Sequence, residues 1–182
     1  MERSIPFIVF YFVAHLVILV HAQNATLVNQ TCKKTPNYYL CVSTLKSDPR
    51  TRLAKDIRGL ATIFALHVME KATQTRNHIA GLLKDPSIDR KRKQLLGECM
   101  EIYNAIIMNW LSETLEGLLD KDYGLARDSM AAVPTNIESC EKSFRRPIQS
   151  PISKDSRITA DLSKVAFAIV LYTYLHPPPK LA

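Results

Sequence analysis

The sequence predicts an all-α protein: an antiparallel, up-and-down four-helix bundle with a short N-terminal α-hairpin, fastened by two disulfides. Three observations carry this reading. Apolar residues recur at alternating spacings of three and four along four long stretches, the period of helices with one buried face. Glycine is scarce, at 5 of 182 residues. The 4 cysteines fall into a close pair and a distant pair, and each pair straddles a turn.

Residues 1–22 read as a secretory signal peptide. Arg3 precedes an apolar run from Ile5 to Val20, and Val20-His21-Ala22 puts short residues at a cleavage site after Ala22. An uncleaved anchor is the alternative, because the run is slightly long. Just beyond it, Asn24-Ala25-Thr26 and Asn29-Gln30-Thr31 match the acceptor pattern for N-glycosylation, so Asn24 and Asn29 are candidate sites.

Residues 23–48 form the hairpin. Helical turns run through Cys32, Pro36-Asn37 breaks them, and a second piece runs from Tyr38 to Lys46, with Tyr38 and Tyr39 as packing residues. Ser47-Asp48-Pro49 ends the hairpin and opens the bundle, residues 49–176, since proline is well placed at a helix start. The first long helix is expected from Pro49 to Lys84, with Leu53, Ile57, Leu60, Phe64, Val68, Ala72, Thr75, Ile79 and Leu82 inward. Asp85-Pro86-Ser87 stops it. The second runs from Asp89 to Leu119, with Leu95, Cys99, Ile102, Ile106, Trp110 and Leu118 inward.

The third helix spans Asp122 to Phe144, with Tyr123, Ala126, Met130, Val133, Ile137, Cys140 and Phe144 in unbroken register around an interior Pro134 that should kink it. A linker, Arg145 to Asp155, precedes the fourth helix, Ser156 to Leu175, which turns Ile158, Leu162, Val165, Ile169 and Tyr172 inward. Residues 177–182 are a proline-led tail. The apolar stretch from Val165 to Leu175 is too short to span a membrane.

Four cysteines allow three connectivities. In an antiparallel hairpin, residues equidistant from the turn lie at similar height, within reach of a disulfide. The midpoints fall at Pro36-Asn37 and Asp120-Lys121, so symmetry favours Cys32–Cys41 and Cys99–Cys140. On the chain-entropy model the long loop stabilises by about 3.9 kcal/mol and the short one by about 2.7 kcal/mol.

The net charge of +7 points an exported chain away from nucleic acid. It favours acidic partners, a polyanionic polysaccharide, a membrane surface or an enzyme cleft lined with carboxylates, although solubility alone accounts for it equally well. Arg90-Lys91-Arg92-Lys93 opens the second helix against its dipole, which hints at a partner, although a solvated face accounts for it as well. Arg145-Arg146 sits where cations help the dipole of the third helix.

Catalytic constellations are missing. His67 stands one turn from Glu70, but the paired Glu-x-x-His pattern of di-iron bundles is absent, as is His-Glu-x-x-His. His78 and His176 have no obvious companions. No Gly-x-Ser-x-Gly elbow or phosphate-cradling glycine loop occurs, and the cysteines are used in pairs. The expectation is a non-enzyme with no metal and no cofactor.

Specific stretches resemble the plant invertase and pectin methylesterase inhibitor family. Thr31-Cys32-Lys33-Lys34-Thr35-Pro36-Asn37-Tyr38-Tyr39-Leu40-Cys41, then Leu45-Lys46-Ser47-Asp48-Pro49-Arg50, looks like the N-terminal signature of its invertase-inhibitor branch. Asp56-Ile57-Arg58-Gly59-Leu60-Ala61, the region around Cys99, Met130-Ala131-Ala132-Val133 and Ser139-Cys140-Glu141 extend the likeness over the mature chain. The resemblance implies the same disulfide pairing and stoichiometric inhibition of a wall or vacuolar enzyme.

One branch of the family blocks acid invertases, which hydrolyse sucrose with two carboxylates, by inserting the loop between the second and third long helices. The other covers the pectin-binding cleft of pectin methylesterase with helices of the bundle. Invertase inhibitors carry Pro-Lys-Phe in that loop, whereas Tyr123-Gly124-Leu125 stands here, and Lys121 is the nearest cation. The candidate contact residues are therefore Lys121, Asp122, Tyr123, Gly124 and Leu125, with an ordinary helix connection as the alternative. The expected function is a secreted inhibitor of an acid invertase, in the cell wall or the vacuole and monomeric, with a dimer as the other state. A pectin methylesterase inhibitor is the first alternative. A secreted four-helix carrier or signalling protein is the second, and a carrier would need a ligand-sized internal cavity.

Overall fold

A computed structural model describes residues 24–179. The expected signal peptide lies outside the described residues, as do residue 23 and residues 180–182 of the tail. The described chain opens with a helix over residues 24–32, α1. It turns and continues as α2, Tyr38–Ser47, with the Asn37 side chain accepting from Leu40 N to cap it. Cys32 and Cys41 are bonded across the turn, with Cα atoms 5.5 Å apart, and both are fully buried. Tyr38 packs on the core and donates from Oη to Asn29 Oδ1 at 3.3 Å. Tyr39, expected to pack, is 83% exposed, because α2 turns only one face inward.

The long helix expected from Pro49 begins at Ile57. Asp48-Pro49 instead starts a single 3₁₀ turn, Pro49–Leu53, and Asp48 caps it by accepting from Arg50 N at 2.7 Å. The chain re-extends at Ala54, which leaves Leu53 78% exposed rather than inward. Asp56 then supplies a second cap, accepting from Gly59 N at 2.9 Å, and α3 runs Ile57–Lys84. Both starts use the same chemistry, an aspartate oxygen on an orphan helical N–H.

Asp48 also joins the hairpin to the bundle. It is 6% exposed, chelates the Arg50 guanidinium through both carboxylate oxygens, and lies 2.9 Å from Nε2 of His67 on α3. The Arg50 hydrogen bonds hold its carboxyl well below the usual range, at about 2, against the opposing effect of burial.

The bundle consists of α3, a long second helix, α6 (Tyr123–Ser143) and α7 (Ser153–Leu175). Each packs on two neighbours: α7 on α3 and α6, and the second helix on α3 and α6. In α3 the stripe from Leu60 through Phe64, Val68, Ala72, Thr75 and Ile79 is buried as its period requires. The second helix is α4 (Arg90–Ala105), a π-helical turn (Ile106–Leu111) and α5 (Ser112–Asp120), without interruption.

The π turn is a correction with a clear cause. Leu96, Cys99, Tyr103 and Ile106 keep helical spacing, but the next core residue is Leu111, five positions on, followed by Thr114 and Leu118. A wider turn absorbs the additional residue and keeps both halves facing the core. Trp110, expected inward, is only partly buried in consequence.

α6 remains helical on both sides of Pro134, and Cys140 meets Cys99 in the core, with Cα atoms 5.0 Å apart. α7 begins at Ser153, three residues before the expected start. Its buried face is Thr159, Leu162, Val165, Ala166, Ile169 and Thr173, while Ile158 and Tyr172 are only partly buried. Length and apolarity alone would let α7 cross a membrane, but half of its most apolar window is buried inside the bundle.

One layer of the core is polar. Tyr103 Oη donates to Ser156 Oγ at 3.1 Å, and the Thr75 and Thr159 hydroxyls meet at 3.2 Å. Burial pushes the Tyr103 phenol up to about 12, with the hydroxyls beside it opposing. Buried hydroxyls cost stability unless paired, and these are paired. Outside this layer, Asp155 in the first turn of α7 takes Lys71 Nζ at 3.1 Å and His78 Nδ1 at 2.8 Å, both from α3.

Candidate target-binding surface

Two residues, Lys121 and Asp122, join α5 to α6, and Tyr123, Gly124 and Leu125 open α6. Lys121 ends α5 in the left-handed conformation, φ 64°, a state that side chains other than Gly, Asn and Asp seldom adopt. It turns the chain sharply enough for Asp122 to cap α6, accepting from Leu125 N at 3.0 Å. Lys121, Asp122 and Leu125 are exposed, while Tyr123 and Gly124 are half-buried. The lysine ammonium therefore stands at the tip of the turn.

The support beneath this turn comes from Gly117. A methyl group there would lie 2.7 Å from both Ala126 N and Asp122 O, so only a residue without Cβ lets α5 approach the first turn of α6 this closely. Ser129 Oγ donates to Glu113 Oε2 at 2.8 Å and fixes the same two helices one turn further in. The buried Cys99–Cys140 bond completes the clamp. The loop is a rigid corner.

Folding also brings the corner to distant parts of the chain. Lys121 and Tyr123 line an open groove of about 440 Å³ with Lys55, Arg58 and Pro178. The carboxylate at its edge, Asp56, is engaged in capping α3. Among the described residues, Lys55, Arg58 and Lys121 form no ion pair. The surface is cationic with an aromatic flank, suited to an acidic, partly apolar partner. Sequence spacing gave no sign that the start of α3 would join the loop.

Other candidate residues are dispersed. Asn24 donates from Nδ2 to Arg52 O at 2.7 Å, and Asn29 accepts from Tyr38. His67 and His78 serve Asp48 and Asp155, and His176 stacks on Tyr172. No cluster of three or more His, Cys, Asp or Glu side chains able to hold a metal occurs among the described residues. Within Arg90–Lys93, Arg92 is paired back to Asp89, the α4 cap, and the rest of the run lies along the surface of α4.

Comparison with known proteins places this geometry. Residues 26–169 match the family model for plant invertase/pectin methylesterase inhibitors. Cell wall / vacuolar inhibitor of fructosidase 2 of Arabidopsis thaliana is 38% identical over 74% of this chain and 74% of its own length. Inhibitor of fructosidase 1 from the same plant is 32% identical over 79% of this chain and 67% of its own. The pectinesterase inhibitor of Actinidia deliciosa is 30% identical over 72% of this chain and 69% of its own. A crystal structure of a mutant pectin methylesterase inhibitor from Arabidopsis superposes with a TM-score of 0.64, at 22% identity, over 77% of this chain and 92% of that one, a likeness of fold. The chain belongs to the plant invertase/pectin methylesterase inhibitor family.

Proposed function

We propose that the protein inhibits an acid invertase stoichiometrically, by occupying its active-site cleft, and performs no chemistry itself. The observation that carries this reading is the 38% identity to an inhibitor of fructosidase across most of both chains. The corner at Lys121–Leu125 supports it. A cation held at a rigid tip, with a half-buried tyrosine behind it, suits a cleft whose hydrolytic carboxylates are acidic. Rigidity matters because little conformational freedom is then lost on binding. The relatives are named for the cell wall and vacuole, and together with the signal-peptide reading of residues 1–22 this supports export to one of those compartments.

A second reading, inhibition of pectin methylesterase, is favoured by two observations. Tyr123-Gly124-Leu125 replaces the Pro-Lys-Phe of invertase inhibitors, and the pectinesterase inhibitor is nearly as similar as inhibitor of fructosidase 1. The deciding experiment adds the oxidised mature protein, at mildly acidic pH, to an acid invertase and separately to a pectin methylesterase. Loss of sucrose hydrolysis alone supports the first reading, and loss of pectin demethylation alone supports the second. Activity against neither overturns both.

A further inference from the structure

A second groove lies beside the first and belongs to neither the loop nor the core. It is open, encloses about 630 Å³, and runs between the α1–α2 turn, the segment before α3 and the end of α7. Its volume falls in the range of about 300–1,000 Å³ found for ligand sites. The charged rim is Lys33, Lys34 and Lys55. None of these lysines has an ion-pair partner among the described residues. The carboxylate at the edge, Asp56, is again the α3 cap.

The side of this groove formed by α7 is aromatic. The Tyr172 and His176 rings stack at 4.4 Å between centroids, 28° from parallel, and Lys34 Nζ lies 6.0 Å from the Tyr172 centroid. A flat ring face attracts polarised C–H groups through its negative quadrupole, and one side of a pyranose ring presents several. Lysines at the rim meet the carboxylates that a uronic-acid sugar carries at its edge. The Tyr172–His176 stack is itself an i,i+4 contact at the end of α7, and its place beside three unpaired lysines is what makes it a platform within a cationic groove.

The two grooves are continuous, since Lys55, Asp56, Pro178 and Pro179 line both. A tract of this shape, positive along its length, fits a polymer with regularly spaced negative charge better than a single small anion. We infer that the Lys33–Lys34–Lys55 groove binds a segment of an acidic polysaccharide of uronic-acid units, with a sugar ring on the Tyr172–His176 stack. This site tethers the protein to an acidic matrix while the Lys121 corner remains at the other end of the tract. The inference rests on the groove alone and holds for either target enzyme.

The test measures binding of the oxidised mature protein to a de-esterified oligogalacturonate and to its methyl-esterified form. The acidic oligomer is expected to bind and the ester to bind far more weakly, with affinity falling as salt is added. The double variant Lys33→Glu/Lys34→Glu is exposed at both positions and should lose about tenfold in affinity, whereas Lys91→Glu/Lys93→Glu, with the same change in net charge, should stay within about twofold. His176→Ala, also exposed, should weaken binding without changing the salt dependence. Equal losses in the two double variants would mean diffuse attraction and overturn the site, as would absence of binding. If Lys33→Glu/Lys34→Glu weakens inhibition of the target enzyme but leaves oligogalacturonate affinity intact, the groove is a protein contact and the inference fails.

Discussion

Three glycines in helices give opposite forecasts for one substitution. At Gly117 an added methyl group meets Ala126 N and Asp122 O at 2.7 Å, well inside van der Waals contact. Both obstacles are backbone atoms of the first turn of α6, so no side chain can swing aside. Restoring contact requires α6 to retreat by roughly half an ångström. Overpacking of this kind costs about 1–3 kcal/mol. The gain in helix propensity from Gly to Ala returns about 1 kcal/mol, so Gly117→Ala should lose up to roughly 2 kcal/mol net. At Gly81 and Gly97 the added methyl meets nothing within 4 Å, and the same change should stabilise by about 0.5–1 kcal/mol.

Urea denaturation of the three single variants measures these differences directly. The shift at Gly117 falls on Asp122 to Ala126, the corner that carries Lys121, so inhibition should weaken in that variant and stay unchanged in the other two. Stabilisation of all three to a similar extent would refute the close-approach account of the corner. Destabilisation at Gly117 with full inhibitory strength would uphold the packing account but remove the proposed role of the corner in target binding.

Lys121→Glu should weaken inhibition tenfold or more, about 1.4 kcal/mol, while Lys121→Gly should fold at least as stably, since φ 64° suits glycine, yet still inhibit poorly; a fully active glycine variant would show that shape and not charge is read. Asp48→Asn should cost about 1–2 kcal/mol near neutral pH, allowing for solvent screening at the half-exposed Arg50. Because the folded carboxyl titrates at about 2 against an ordinary 3.8, that difference should be complete above pH ~4 and vanish as pH falls through about 2; a pH-independent gap by thermal unfolding would contradict the Arg50 assignment. Paired serine replacement of Cys99 and Cys140 should destabilise more than that of Cys32 and Cys41, by about 3.9 against about 2.7 kcal/mol in chain entropy, and the reverse order in denaturant midpoints would show that loop length does not govern.

The stripes on α3 and α6 were legible because long periodic segments leave little choice of face. The start of α3 was not. Asp48-Pro49 carries every local mark of a helix beginning, and only the second cap, Asp56 three residues before Gly59, separates a 3₁₀ turn from the helix proper. The π turn has no mark in the sequence pattern, because Trp110 continues the three–four spacing from Ile106 while burial selects Leu111. The pairing of Tyr103 with its hydroxyl partners is invisible in the sequence, since a contact across three helices has no signature within one. For the binding surface, the loop residues were visible as a connection between two helices. Their neighbours Lys55 and Arg58, about sixty positions earlier, come to it only through folding.

The π turn at Ile106–Leu111 divides the second helix into two parts offset in phase about one axis. The upstream part is anchored by the Cys99 bridge, and the downstream part leads into Lys121. In a uniform α-helix, any rotation at one end would be carried to the other through rigid hydrogen-bonded turns. Here the wide turn resets the phase by one residue, so the aim of the corner follows from the same core packing that holds the stapled half. Change at the corner without cost to the packing is left to its exposed side chains, Lys121, Asp122 and Leu125.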